Sequence, residues 1–168
     1  MDIHEGQTAP DFTLSSILSH DEGPLLEQIH LLETRGKTVV LVFSPSSPVL
    51  ERMSDVRGFQ GNYQEFVRHE ALVLIVSTAS IPVLTRVATT HRLPFPLLAD
   101  VDAGVSRMYG AYKQKSFFGR RYWGIERTTF LINPEGIVQK AWRLAKPRGH
   151  AREVIAALDA YERSRGNA

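Results

Sequence analysis

The sequence predicts an α/β fold with a central mixed sheet, helices on both faces and a hairpin towards the C-terminus. Three observations carry that expectation. Thr38–Phe43 and Ala71–Ser77 are continuous apolar, β-branched runs, the pattern of strands buried on both faces. A stretch with helical periodicity separates them, and a helical crossover makes such strands parallel neighbours. Thr128–Asn133 and Ile137–Leu144 then flank the turn Asn133-Pro134-Glu135-Gly136, which reads as an antiparallel hairpin, before an amphipathic closing helix.

Taken in order, Ile3 to Leu14 reads as extended chain ending in the turn-prone pair Ser15-Ser16. Ser19 to Pro24 has loop composition. Leu25, Ile29 and Leu32 predict a short helix over Pro24–Thr34, stopped by Gly36. After the first buried strand, Ser44 to Pro48 is a loop whose Ser47 and Pro48 suit a helix N-cap and first turn. That helix carries Val49, Met53, Val56, Phe59, Tyr63 and Phe66 on one face. Gly58 and Gly61 weaken it, each by about 1 kcal/mol relative to Ala.

The second buried strand leads to a helix over Ile81–His91, with Pro82 in its first turn. Leu93–Leu98 carries two prolines, which place a short strand or bridge at a sheet edge. Gly104–Gly110 is a short helix ending on glycine, and Lys113–Gly124 reads as a long polar and aromatic loop. Lys146–Gly149 connects the hairpin to a helix over Ala151–Tyr161, whose buried stripe is Val154, Ile155, Leu158 and Tyr161. Arg163 to Ala168 is expected to fray. This order of elements is the thioredoxin-like arrangement.

A length of 168 residues suits a single domain, here 1–168. No signal peptide and no membrane span are expected, since no apolar run approaches ~20 residues; a cytoplasmic chain is the default. The net charge of +2 hides an asymmetry. Arg107–Arg152 holds 11 Lys or Arg and only two acids, Glu126 and Glu135, while the rest of the chain is acidic. Such a segment forms either a solvated basic face or a surface that attracts anions. The chain has no cysteine, which excludes disulfides, thiolate metal sites and thiol catalysis together.

Six segments in order resemble a known family. They are Gly6–Leu14 (GQTAPDFTL), Gly36–Pro45 (GKTVVLVFSP), Leu93–Asp100 (LPFPLLAD), Tyr109-Gly110, Gly124–Gly136 (GIERTTFLINPEG) and Gly149–Val154 (GHAREV). Together they resemble the peroxiredoxins of the AhpC/TSA type, and most of all the bacterioferritin-comigratory, or PrxQ-like, group. The resemblance implies a thioredoxin fold, an antioxidant thiol-peroxidase ancestry and a monomer or homodimer.

The loop that would carry the chemistry departs from the group's pattern. Counted from Phe43, the peroxidatic cysteine position falls on Arg52, the peroxide-holding threonine on Val49 and the resolving cysteine on Arg57. Pro45 and Arg127 match the loop proline and pocket arginine, while Asp55 and Phe59 support the register. The degenerate site is thus Pro45, Val49, Arg52 and Arg127, with no catalytic residue assigned.

Two roles for Arg127 stand open. It forms an anion pocket with Arg52 and backbone N–H groups near Ser47–Leu50. Alternatively it pairs with Asp55 or Glu51 and holds the helix to the sheet, which is what buried arginines usually do. Ser44, Ser46, Ser47 and Ser54 offer hydroxyls, but a serine nucleophile needs an adjacent base. None of His4, His20, His30, His69, His91 or His150 stands in a triad motif or at metal-ligand spacing. His69 and His91 are expected near helix ends and His150 as a cap.

Lys113–Gly124 mixes basic and aromatic residues, which suits single-stranded nucleic acid but matches the ordinary family loop better. Phe117, Phe118 and Trp123 would then cover the pocket or form a contact patch. Neither cofactor nor metal is expected, and neither membrane nor nucleic acid is the expected partner. An unidentified protein or small anion is. The favoured function is a peroxiredoxin-like binding or interaction module without peroxidase turnover. The alternatives are a hydroperoxide reductase using a non-standard or partner-supplied thiol, and, more weakly, an anion or nucleic-acid binder.

Overall fold

The computed structural model describes residues 2–46 and 56–166. Nine strands are described: β1 (Thr13–Leu18), β2 (Leu25–His30), β3 (Thr38–Phe43), β4 (Ala71–Ser77), β5 (Leu97–Ala99), β6 (Tyr112–Phe117), β7 (Arg120–Ile125), β8 (Thr128–Ile132) and β9 (Val138–Arg143). The described helices are α1 (Arg57–Gly61), α2 (Tyr63–Arg68), α3 (Ile81–Thr90), α4 (Gly104–Met108) and α5 (His150–Gly166), with a 3-10 turn at Leu31–Thr34.

Seven strands form one mixed sheet in the order β2-β1-β5-β4-β3-β8-β9. The pairs β3–β4 and β4–β5 are parallel, and the other pairs are antiparallel. All six residues of β3 are buried, as its unbroken apolar run requires of a strand covered on both faces. Alternation then divides the core. Val40, Val42, Val73 and Ile75 meet Phe59, Phe66, Leu84, Val154 and Leu158 from α1, α2, α3 and α5. Val39, Leu41, Phe43, Leu74 and Val76 meet Leu31, Val105 and Tyr109 on the other face. The thioredoxin-like fold with helices on both faces and a C-terminal hairpin is therefore the fold observed. Among the described residues, no helix is long and apolar enough to cross a membrane.

Several local expectations are corrected. Ser15-Ser16 is not a turn: both residues pair on two sides, with Gln28 and Glu27 and with Ala99 and Leu98. The Ser16 hydroxyl donates to the Glu27 carbonyl (3.0 Å). Leu25–His30 is a strand rather than a helix. Leu25 and Ile29 lie on one face in either geometry, and six backbone pairings with β1 decide for the strand. The Leu97–Ala99 strand is interior, between β1 and β4, rather than at an edge. Pro94 and Pro96 precede its paired residues, so their missing N–H groups leave no gap in the ladder.

Lys113–Gly124 is a hairpin, β6–β7, standing apart as its own two-stranded sheet. The part of the helix described after the Ser44–Pro48 loop is broken at Asn62 (φ −110°, ψ 15°), one residue after Gly61. The closing helix runs to Gly166, beyond the expected fraying point.

Candidate functional site

The site frame follows from strand direction. β3 and β4 are parallel, so both end at the same edge of the sheet, where open α/β sheets bind ligands. β8 runs antiparallel to β3, and the pairing of Phe43 with Thr128 brings the start of β8 to the end of β3. Pro45 and Arg127, 82 positions apart in sequence, are thereby gathered around one opening. The Ser44 amide donates to the Val76 carbonyl (2.9 Å), holding the strand exit against β4. The Arg127 carbonyl accepts the Ala145 amide (3.1 Å), which ties the start of β8 to the chain leaving β9.

Pro45, Ser46, Thr78 and Arg127 line one wall of a cleft of about 480 Å³. Tyr112, Lys115, Tyr122, Trp123, Gly124 and Ile125 of the hairpin form the other. Tyr112 and Trp123 stack with ring centroids 5.9 Å apart, and the Arg107 guanidinium lies 4.8 Å from the Tyr112 ring centroid. The described lining residues include two cations, Lys115 and Arg127, and no carboxylate. The lining thus offers aromatic faces and cationic side chains and no thiol.

On its other side Arg127 borders a small space of about 10 Å³ with Phe59, Thr129 and His150. That is room for about one water molecule. His150 opens α5, is buried, and has Nε2 2.8 Å from the Thr129 hydroxyl. Its ring stands edge-on to Phe59 and Trp142. A hydroxyl–imidazole pair with no space for a substrate works as a strut between β8 and α5.

Of the sequence-predicted site residues, Pro45 and Arg127 meet at the cleft, and Arg57 is the exposed first residue of α1. Ser44 is buried and Ser46 lines the cleft. Val49 and Arg52 lie outside the described residues, as do Ser47, Ser54, Glu51 and Asp55. His69 and His91 sit at the C-caps of α2 and α3, where they were expected.

The sequence reading missed two groupings. Thr78 and Tyr122 belong to the cleft, but the hairpin alternates between two exposed faces and gives no hydrophobic signal. His69 meets Asp159 (3.2 Å) and Glu162 (2.8 Å) of α5, one carboxylate at each ring nitrogen. The ligand atoms of these three groups lie within 4.8 Å of one another. The separation of 90 positions between His69 and Asp159 hides this cluster from any spacing rule. With both nitrogens already engaged, it acts as a clamp between α2 and α5.

Buried groups around Tyr109 stabilise the frame. Its ring packs against Phe12, Phe43 and Phe130, and its hydroxyl donates to the Pro10 carbonyl. Burial pushes the phenol pKa far above its ordinary value, so it stays a neutral donor.

Comparison with known proteins places this frame. The family model described as AhpC/TSA matches residues 5–141. Peroxiredoxin Bcp of Bacillus subtilis is 34% identical over 158 residues, covering 94% of this chain and 96% of that protein. Peroxiredoxin Bcp of Escherichia coli K12 is 31% identical over 153 residues, covering 91% and 94%. Among solved structures, a cysteine-to-serine variant of peroxiredoxin Q from Xanthomonas campestris superposes with a TM-score of 0.78 at 33% identity, covering 89% of this chain and 90% of that one. A cysteine-to-serine variant of PrxQ from Xylella fastidiosa gives a TM-score of 0.84 at 27% identity, covering 96% and 99%.

Proposed function

The chain belongs to the AhpC/TSA family, in its Bcp/PrxQ peroxiredoxin group, and from that premise we propose that it is a pseudoenzyme, a peroxiredoxin-like module that binds rather than reduces. One observation carries the proposal: none of the 168 residues is a cysteine. Peroxide reduction by a thiolate forms an S–O bond as the O–O bond breaks and leaves a sulfenic acid. Without sulfur of that kind the cleft has no electron pair of comparable nucleophilicity. Met108 is oxidisable, but only stoichiometrically in the absence of a reductase. The cation-lined cleft beside Pro45 and Arg127 supports a binding role for a protein segment or small anion. A cytoplasmic location completes the proposal.

The test is hydroperoxide consumption with a thiol reductant, comparing the native chain with Arg52→Cys. A native chain no faster than buffer, and a variant that consumes peroxide over many turnovers, is the expected pair. Multiple turnover by the native chain alone would refute the proposal. Turnover that appears only when a thiol protein is added would replace it with a partner-supplied thiol.

A further inference from the structure

We propose that the β6–β7 hairpin is a peripheral docking element for an anionic lipid bilayer, entering the interface with Phe117 and Phe118 while Arg120 and Arg121 meet lipid phosphates. Among the described residues the hairpin pairs with no other strand. Residues 116–123 are exposed without interruption.

Its apex is built against local preference. The turn residues Phe118 and Gly119 both have positive φ (50° and 78°), the geometry of a two-residue hairpin turn that favours Asn, Asp or Gly. A phenylalanine held in that strained region would be offset by burial, yet Phe118 is 91% exposed. Its neighbour Phe117 is 65% exposed and packs edge-on to it, ring centroids 4.5 Å apart. Two rings therefore form an apolar point that the described residues leave uncovered.

Charge selects the occupant. From Tyr112 to Ile125 the hairpin carries four cations and no acid; Lys113 is paired with Asp2 (3.0 Å), and Arg120 and Arg121 are the two next to the apex. Arg120 lies directly across from Phe117, and Arg121 across from Ser116, one pair further from the apex. Two exposed rings flanked by Arg120 and backed by Arg121 match the layering of an anionic membrane, acyl boundary below and phosphate above. Exposed rings at a hairpin apex need a matching pocket in a protein partner, whereas the bilayer interface deforms around them. Base stacking is less well served. The apical rings meet at 80°, and one face of Trp123 is taken by Tyr112. The expectation that no membrane is a partner rests on the lack of a spanning segment, and a peripheral contact requires none.

The full-length chain is incubated with vesicles of phosphatidylcholine alone or mixed equally with phosphatidylglycerol, at low and high salt. Binding is read by co-sedimentation and by Trp123 emission in a Trp142→Phe background. Sedimentation with the mixed vesicles only, weakened by salt and accompanied by a blue shift, is the expected result. Phe117→Ser with Phe118→Ser should weaken binding about tenfold or more. Arg120→Ser and Arg121→Ser should weaken it roughly fivefold each. Far-UV circular dichroism confirms that the variants fold. No sedimentation with the anionic vesicles at low salt would overturn the proposal. So would binding indifferent to the phenylalanine changes, or tighter binding of single-stranded oligonucleotides than of vesicles.

Discussion

Asp100→Ala should destabilise this fold far more than Asp102→Ala, two residues away. Asp100 is 1% exposed, and its carboxylate accepts three hydrogen bonds. They come from the Val105 amide (3.2 Å), the Ser106 amide (2.7 Å) and the Ser106 hydroxyl (2.7 Å). The two amides belong to the first turn of α4, where no intrahelical acceptor exists. Alanine leaves three donors orphaned in a site closed to bulk water. At about 1 kcal/mol each, the lower end for buried unsatisfied groups, the loss is about 3 kcal/mol. For a chain of this size that lowers Tm by roughly 6–12 °C. Asp102 is exposed, and among the described residues its carboxylate accepts one hydrogen bond, from the Gly104 amide (2.9 Å), so its loss costs about 0.5–1 kcal/mol. Urea unfolding followed by circular dichroism and tryptophan emission measures both, with coincident transitions as the check on two-state behaviour. An Asp100→Ala cost below about 1 kcal/mol, or equal to that of Asp102→Ala, would refute the idea that the buried carboxylate organises α4.

Two other predictions concern surface groups. The Asp11 carboxylate accepts a hydrogen bond from His30 (2.7 Å) and, with help from Glu33, raises its pKa above the ordinary 6.5. A raised folded value means that this stabilisation is complete below the unfolded value and is lost as pH rises through the folded one. The stability gap between the native chain and Asp11→Asn should therefore be widest just below pH 6.5 and shrink as pH rises above it; an NMR titration of His30 midway at or below 6.5 would contradict it. Phe118→Gly should raise stability by about 0.5 kcal/mol, because glycine relieves the positive φ. A loss above about 1 kcal/mol in thermal unfolding would show that the Phe117–Phe118 contact offsets that strain.

Where burial imposes a period, the elements were legible. β3 and β4 announce themselves as unbroken apolar runs because both faces are covered. α3 and α5 announce themselves through one buried stripe each. β2 misleads because six residues with Leu25 and Ile29 fit helix and strand alike, and only the pairing with β1 separates them. The hairpin misleads for the opposite reason: eight consecutive exposed residues carry no period at all. Of the site, Pro45 and Arg127 could be named by family resemblance, but their meeting depends on the Phe43–Thr128 register. Tyr122 and Trp123 reach the cleft only because the hairpin folds over it.

The sequence by itself determined the loss of thiol chemistry, since a missing atom type needs no coordinates, and it determined the family, since six ordered segments survive the change. It also determined the strands and helices whose side chains have one environment. Tertiary structure alone decided the sheet order, with β5 interior despite the prolines that precede it, and the clamp of His69 between Asp159 and Glu162. It alone decided the exposed aromatic apex beside the cleft. The reason is physical. A local pattern records which face of a residue is buried, but pairing partners distant in sequence are selected by the free energy of the whole packed chain, which no single segment encodes.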